Sequence, residues 1–401
     1  MGIIFGPATG YTSSRFMKRF VRNVRLLQSL SRLDFDSCLD VGGGQGYSCA
    51  LVERLFRVTA VPVDLSVTYG VEARKNYGLE SLCVDAHQLP FRSESFDVVI
   101  SSETIEHLLH PVEAILEMIR VAKKAVLVST CEAYAVPALA WISSKMARYE
   151  EFAEGGHVNF FRGADFRMLM GDSTMLENQF IKPGLSRNGS QALRHTRQDP
   201  DEIKAQVRQI TWTHRYLPGS RGVVALRVLD PKAVRAEPRY SDEAVLEAVL
   251  LHTAALEREI AQGGASGAPR PAGESLRDCL QCPRCGHPQE LEALLHSCAR
   301  CSFAGSTAEG VPVLTPGLEA VRSGPIDRTR HAAAVARAGL SFESMEWVKR
   351  RIERRKGVKN RVALRGLRAA RKLLRWTEGA ARWRWFLRDR IRRRADRGSN
   401  A

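Results

Sequence analysis

Two sets of residues have types and spacings that could do chemistry. Cys282-Pro283-Arg284-Cys285 and Cys298-Ala299-Arg300-Cys301 are two C-x-x-C pairs with twelve residues between them. Each pair can form a knuckle whose two thiolates bind one ion. Four thiolates complete a closed tetrahedral Zn²⁺ site, structural in kind because no coordination position is left for a substrate. Such a site would hold together a unit too small to fold on apolar burial alone. Cys279 and His287 lie near enough to replace a ligand. The second set is Asp40-Val41-Gly42-Gly43-Gly44-Gln45-Gly46, with Asp64 and Leu65 following 24 and 25 residues after Asp40. Glycines let backbone approach a ligand closely, and their N–H groups can meet a carboxylate as readily as a phosphate. A dinucleotide fingerprint begun at Gly42 and Gly44 would need glycine where Tyr47 stands, so the pattern is D-x-G-x-G-x-G and not G-x-G-x-x-G. Asp64 could accept both hydroxyls of a ribose.

These residues need elements to position them. Strand-like apolar runs at 37–41, 58–63, 81–84, 96–100, 125–129 and 223–228 alternate with helix-like segments, the signature of an α/β, doubly wound parallel sheet. The glycine run then sits where the first strand turns into a helix, where such sheets bind adenosine-containing ligands. Residues 131–220 are longer than one crossover needs, which predicts an insertion or lid. Residues 240–262 read as a helix capped by Ser241 and stopped by Gly263-Gly264, and 263–275 as a flexible linker. Cys38, Cys49, Cys83 and Cys131 read as small buried hydrophobes.

The net charge of +16 is not a property of the whole chain. Residues 349–401 hold 21 Lys and Arg against 4 Asp and Glu, leaving residues 1–348 with 39 basic against 40 acidic side chains. In that tail Val358, Val362, Gly366, Ala369, Leu373 and Trp376 share one helical face, and Arg361, Arg365, Arg368, Arg371, Lys372 and Arg375 the other. Trp and Leu opposite Arg suit an anionic membrane interface or a lipid-linked substrate. Nucleic acid and simple packing on the protein body are the competing readings. No run of eighteen apolar residues occurs and no signal peptide is recognisable, so a cytoplasmic location is expected, peripheral to the inner face of a membrane if the tail binds there.

Over residues 26–230 these blocks resemble the class I S-adenosylmethionine-dependent methyltransferases, of the methyltransferase type 11-like kind. Cys83-Val84-Asp85-Ala86-His87-Gln88-Leu89-Pro90-Phe91 is similar to the family's adenine-contacting turn, and residues 93–130 to its fourth strand, helix and fifth strand. The resemblance implies S-adenosylmethionine held by Asp40, Gly42, Gly44 and Gly46 at its methionine end, Asp64 and Leu65 at the ribose, and Asp85 and Ala86 at the adenine. Ser101 and Glu103 would line the methyl-donor pocket. Methyl transfer is an in-line displacement on a sulfonium carbon, so the enzyme chiefly aligns nucleophile and donor and, for a hydroxyl, removes a proton. Glu106 and His107 are the first candidates for that base and His157 the second. No Asn-Pro-Pro-Tyr-like run follows the fourth strand, which argues against methylation of an exocyclic base amine.

The flanks of the cysteine cluster, residues 276–283 and 309–314, resemble a small zinc-ribbon family whose eukaryotic member is an activator subunit of several methyltransferases. The chain is therefore expected to divide into a methyltransferase domain (1–232), a helix and linker (233–275), a zinc ribbon (276–317) and a basic helical tail (318–401). The expected activity is methyl transfer to a hydroxyl or similar nucleophile of a small molecule, glycan or lipid-linked glycan. The alternatives are an RNA methyltransferase with ribbon and tail as RNA-binding parts, and a non-catalytic scaffold that binds the donor.

Overall fold

A computed structural model describes residues 3–4, 13–130, 159, 161–178, 197–198, 201, 204, 222–264, 276, 278–316, 337, 339, 347 and 350, with side chains from residue 20 onward except at 178, 197 and 198. All of them fall in one compact unit. His157, most of the insertion expected at 131–220, the linker at 265–275 and the basic tail from 351 lie outside the described residues.

The elements, in chain order, are α1 (Ser13–Leu30), β1 (Ser37–Val41), α2 (Tyr47–Phe56), β2 (Thr59–Asp64), α3 (Val67–Tyr77), β3 (Leu82–Cys83), β4 (Phe96–Ser102), α4 (Pro111–Val121), β5 (Ala122–Thr130), α5 (Gly163–Met170), β6 (Met175–Asn178), β7 (Val223–Val228), α6 (Asp242–Ala261), α7 (Leu291–His296), β8 (Ser306–Ala308) and β9 (Val311–Val313). A separate antiparallel pair joins Ile3–Ile4 to Arg197–Gln198.

Nine strands form one sheet in the order β8-β9-β3-β2-β1-β4-β5-β7-β6. The run from β3 to β5 is parallel, and β7 lies antiparallel between β5 and β6. The parallel strands are buried on both faces and are largely apolar, Val98 to Ile100 continuously so and Cys38 to Val41 broken only by Asp40. Pro62 is tolerated inside β2 because its carbonyl points toward Ser81, whose hydroxyl donates to it at 3.0 Å, before the ladder to β3 begins. The missing N–H faces the same way, so no ladder bond is lost.

Helix α6 packs against α1 and α2 through Val245, Leu246, Val249, Leu250 and Leu256, which share a core with Phe20, Val24 and Leu27. Ser241 caps it by accepting the Ala244 N–H at 3.2 Å. Helix α1 lies within the domain expected over 1–232 but mostly ahead of the segment from Leu26 that carries the alternating pattern. On its buried face Arg25 is 0% exposed and pairs with Glu177 of β6 at 2.6 Å, and Arg32 reaches the other oxygen of the same carboxylate at 2.6 Å.

The cysteine-rich segment adds its own hairpin to the sheet. Strand β9 pairs in parallel with β3 through Val313 and Cys83, and the Leu314 N–H donates to the Cys83 carbonyl at 2.9 Å. Glu309 and Gly310, with φ of 51° and 79°, make the two-residue turn between β8 and β9, the left-handed pair that a tight hairpin favours.

Candidate active site

Strands β1 to β4 run in one direction, so Asp40, Asp64, Asp85 and residues 101–103 arrive at the same edge of the sheet. The order of strand addition reverses between β1 and β4, which opens a crevice at that edge.

The loop after β1 turns on Gly42, Gly44 and Gly46, at φ of 76°, 53° and 81°. Their N–H groups, expected from sequence to meet a ligand, are taken up within the chain. Gly42 and Gly43 both donate to the Val63 carbonyl (2.8 and 3.1 Å), Gly46 to that of Gly43 (3.1 Å), and Gly44 to Oδ2 of Asp64 (3.1 Å). What the loop offers instead is bare surface. A Cβ on Gly42 would meet Thr104 at 2.3 Å and one on Gly46 would meet Leu79 at 2.8 Å, whereas one on Gly44 would meet nothing within 4 Å.

Asp64 closes the loop's other side. Its Oδ1 accepts the Ser66 N–H at 3.0 Å, and each carboxylate oxygen keeps acceptor capacity for a further partner. Burial pushes its carboxyl up against these backbone donors, and Leu65 beside it is exposed. Asp40 is buried beneath the loop, where the Cys49 thiol approaches its Oδ2 at 3.9 Å. Burial, and then the Asp40 charge, push the Cys38 and Cys49 thiols well up, as fits inert core cysteines.

Asp85 follows β3, tied to Asp64 by the hydrogen bond from the Val84 N–H to the Asp64 carbonyl (2.9 Å), with Ala86 half-buried after it. The turn that follows is fixed from below. Glu117 accepts the Leu89 N–H at 3.0 Å, and Arg120 donates to the Leu89 and Phe91 carbonyls at 3.1 and 2.6 Å.

At the end of β4, Ser101 is buried and donates to the Val41 carbonyl at 2.9 Å, locking β4 to β1. Glu103 has a φ of 56° and pairs with Arg22 of α1 at 2.7 Å. Thr104 donates to the Gly42 and Ser102 carbonyls (3.4 and 3.3 Å) and fills the space beside Gly42. Glu106 and His107 part company. The Glu106 side chain is 0% exposed, accepts the Thr130 hydroxyl at 2.7 Å on Oε2, and is pushed up to about 8 by burial and by the nearby Glu103. Its Oε1 is buried with no hydrogen-bond partner among the described residues. His107 is exposed. Arg22 and Thr104 carry no signal in the sequence, since each meets its partner, Glu103 for the first and Gly42 for the second, only across the fold.

Residues 39–129, from β1 to the end of β5, match a family model described as a methyltransferase domain. Across this segment the chain is similar to methyltransferase domains. The chain is similar to malonyl-[acyl-carrier protein] O-methyltransferase of Marinomonas sp. (strain MWYL1), 27% identical over 170 residues, 40% of this chain and 63% of that protein. It thus spans less than two thirds of that relative. Among solved structures, a complex of the Haloferax volcanii Trm112 methyltransferase activator with a methyltransferase is similar at 16% identity and a TM-score of 0.37, over 54% of this chain and 92% of that one. Haemonchus contortus phosphoethanolamine N-methyltransferase 2, with phosphomonomethylethanolamine and S-adenosylhomocysteine, is similar at 16% identity and a TM-score of 0.36, over 57% and 59%.

The four cysteines at 282, 285, 298 and 301 are close enough together to hold one tetrahedral ion. The sulfurs of Cys282, Cys285, Cys298 and Cys301 all lie within 4.8 Å of one another. Cys282 and Cys301 are 3.6 Å apart, as are Cys285 and Cys298, close to the roughly 3.8 Å expected for thiolates about 2.3 Å from one zinc. The two knuckles repeat one pattern. Gly286 donates to the Cys282 carbonyl (2.9 Å) and Ser302 to that of Cys298 (3.0 Å), with φ of 70° and 55°. Against its burial, the backbone N–H groups of Arg300 and Cys301 bring the Cys298 thiol down to about 7, which favours a thiolate there. Cys279 is outside the cluster, its thiol donating to the Leu276 carbonyl at 3.3 Å and pushed up to about 12 by burial. His287 is also outside it.

The cysteine-rich segment is hydrogen-bonded to the turn that follows Asp85. Arg92 N–H donates to the Cys279 carbonyl at 2.7 Å and Gln281 N–H to the Pro90 carbonyl at 3.0 Å, while the Gln88 side-chain amide donates to the Pro283 carbonyl in the first knuckle.

Proposed function

We propose that this protein transfers a methyl group from S-adenosylmethionine to a hydroxyl or similar oxygen nucleophile of a small molecule, glycan or lipid-linked glycan. The observation that carries the donor assignment is the convergence of the open Gly44 face, Asp64 and Asp85 on one edge of the methyltransferase domain. Oxygen as acceptor is supported by the O-methyltransferase relative. A non-nucleic-acid acceptor is supported by the near balance of charge over residues 1–348, which gives little electrostatic footprint for a polyanion.

In this reading the bound donor supplies an electrophilic methyl on a sulfonium. The chain's own residues do the rest. The glycine loop gives the methionine end room to lie against backbone, Asp64 accepts the ribose hydroxyls, and Asp85 with Ala86 meets the adenine. Ser101 holds the end of β4 in place beside β1, and the Arg22–Glu103 pair fixes α1 over it. Proton removal from the acceptor falls to His107, which is exposed, or to His157. Glu106, buried and favouring its neutral form at pH 7, would act from behind through Thr130.

We further propose that the four thiolates hold a structural zinc, that the ribbon braces the domain in the manner of the activator family it resembles, and that the basic tail meets an anionic membrane surface or lipid carrier. The test is transfer of radiolabelled methyl by full-length protein into separated lipid-plus-glycan, small-molecule, protein and RNA pools, with Asp64→Ala as control. Label in the first two pools is expected. Label confined to RNA overturns the acceptor reading, and donor binding without turnover in every pool overturns the enzymatic one.

A further inference from the structure

Asp85 and His87 are joined twice. The His87 backbone N–H donates to Oδ1 of Asp85 at 2.9 Å, and ring Nδ1 lies 2.5 Å from the same oxygen. The other ring nitrogen, Nε2, accepts the backbone N–H of His110 at 3.2 Å. A nitrogen that accepts carries no proton, so the network assigns the proton to Nδ1, which donates to the carboxylate. The His110 ring packs edge-on against that of His87, with centroids 5.9 Å apart. Gln88 N–H donates back to the Asp85 carbonyl at 3.0 Å, and the Gln88 side chain is anchored on Pro283. The imidazole is thus held on both nitrogens by a turn that is itself held from below.

The consequence falls on Asp85. Both hydrogen bonds to its carboxylate converge on Oδ1, while Oδ2 has none among the described residues. Burial alone would favour the neutral acid, yet the hydrogen bonds from His87 outweigh it and hold the carboxyl below its ordinary range. An ionised carboxylate only accepts hydrogen bonds.

We propose that His87 is a positioning residue that makes Asp85 a reader of the donor's purine, with Oδ1 clamped by His87 and Oδ2 presented as an obligate acceptor to the exocyclic amine. This rests on the donor-site reading above. A purine with a carbonyl at C6 would set two acceptors against each other. Sites built around a specific hydrogen bond reject the partner that cannot make it, because their own buried polar group is then left unpaired.

The test is calorimetric titration of the full-length protein with S-adenosylhomocysteine and with S-inosylhomocysteine, its C6-carbonyl analogue. The wild type should prefer the adenosyl ligand by about 100-fold. In His87→Ala the preference should fall below about tenfold, chiefly through weaker adenosyl binding. His87→Asn, whose amide can donate in place of Nδ1, should restore most of it, and Asp85→Asn should abolish it. Thermal melting of each variant checks its fold, and the Asn variants carry the test if His87→Ala does not fold. Equal loss for both ligands in His87→Ala, or an unchanged preference, overturns the proposal and leaves the donor site standing. A wild type that binds neither ligand overturns the donor-site reading and this proposal together.

Discussion

The Gly44 N–H donates to Oδ2 of Asp64 at 3.1 Å, so the loop after β1 and the acid that ends β2 hold each other in place. Neither can be altered without disturbing the other, and Gly44 is also where the loop presents bare backbone to the crevice.

Asp64→Ala should lower affinity for S-adenosylhomocysteine by about 100-fold or more, since charge-assisted hydrogen bonds contribute roughly 1.5–3 kcal/mol each. Asp64→Asn, which keeps one acceptor oxygen for the backbone donors of Gly44 and Ser66, should bind better than the Ala variant. Calorimetry decides, and an affinity equal to the wild type's would remove Asp64 from the donor site.

Alanine at two glycines should separate stability from binding. At Gly42 the new methyl would strike Thr104 at 2.3 Å, so Gly42→Ala should unfold at markedly lower urea concentration. At Gly44 it meets nothing within 4 Å, leaving only the strain of a left-handed residue, about 1–2 kcal/mol. Gly44→Ala should therefore fold and yet bind donor poorly, with the methyl standing where the ligand would lie.

Glu106 should make stability fall with rising pH. Its carboxyl, pushed up to about 8 in the fold, holds a proton that the unfolded chain releases near the ordinary value of 4.5. The folded state therefore binds more protons between those limits, and the stability this provides is full below about 4.5 and lost as pH passes through 8. Glu106→Gln cannot ionise, so its stability relative to wild type should rise from pH 5 to pH 8. Parallel urea curves for the two proteins across that range would exclude the shift.

Metal analysis of the purified chain should find one zinc, lost in Cys282→Ser. Because β9 is hydrogen-bonded to β3, the loss should reach the parallel sheet. The melting temperature should drop by about 5 °C or more. A Cys282→Ser protein that melts like the wild type would leave the cluster without a structural role.

What could be read from sequence was what spacing encodes locally. The glycine loop, Asp64 and the four cysteines are each defined within a few residues, and the sheet strands from β1 to β5 announce themselves as apolar runs. The misses are long-range. Arg25 sits on the buried face of α1 because Glu177, 152 residues on, neutralises it there, and no window along the chain contains both. Strand β3 has two residues and owes its outer neighbour to a hairpin more than two hundred residues later. Glu106 and His107 are adjacent in sequence, and only the packing of Thr130 against the first separates a buried acid from an exposed ring.

The joint between β9 and β3 is small, a single ladder position with its flanking hydrogen bonds. Between two separate proteins such a contact would be at the mercy of dilution. Carried on one chain, the two strands meet at an effective concentration on the order of millimolar. The stoichiometry of cysteine-rich hairpin to parallel sheet is thereby fixed at one to one, whatever the expression level.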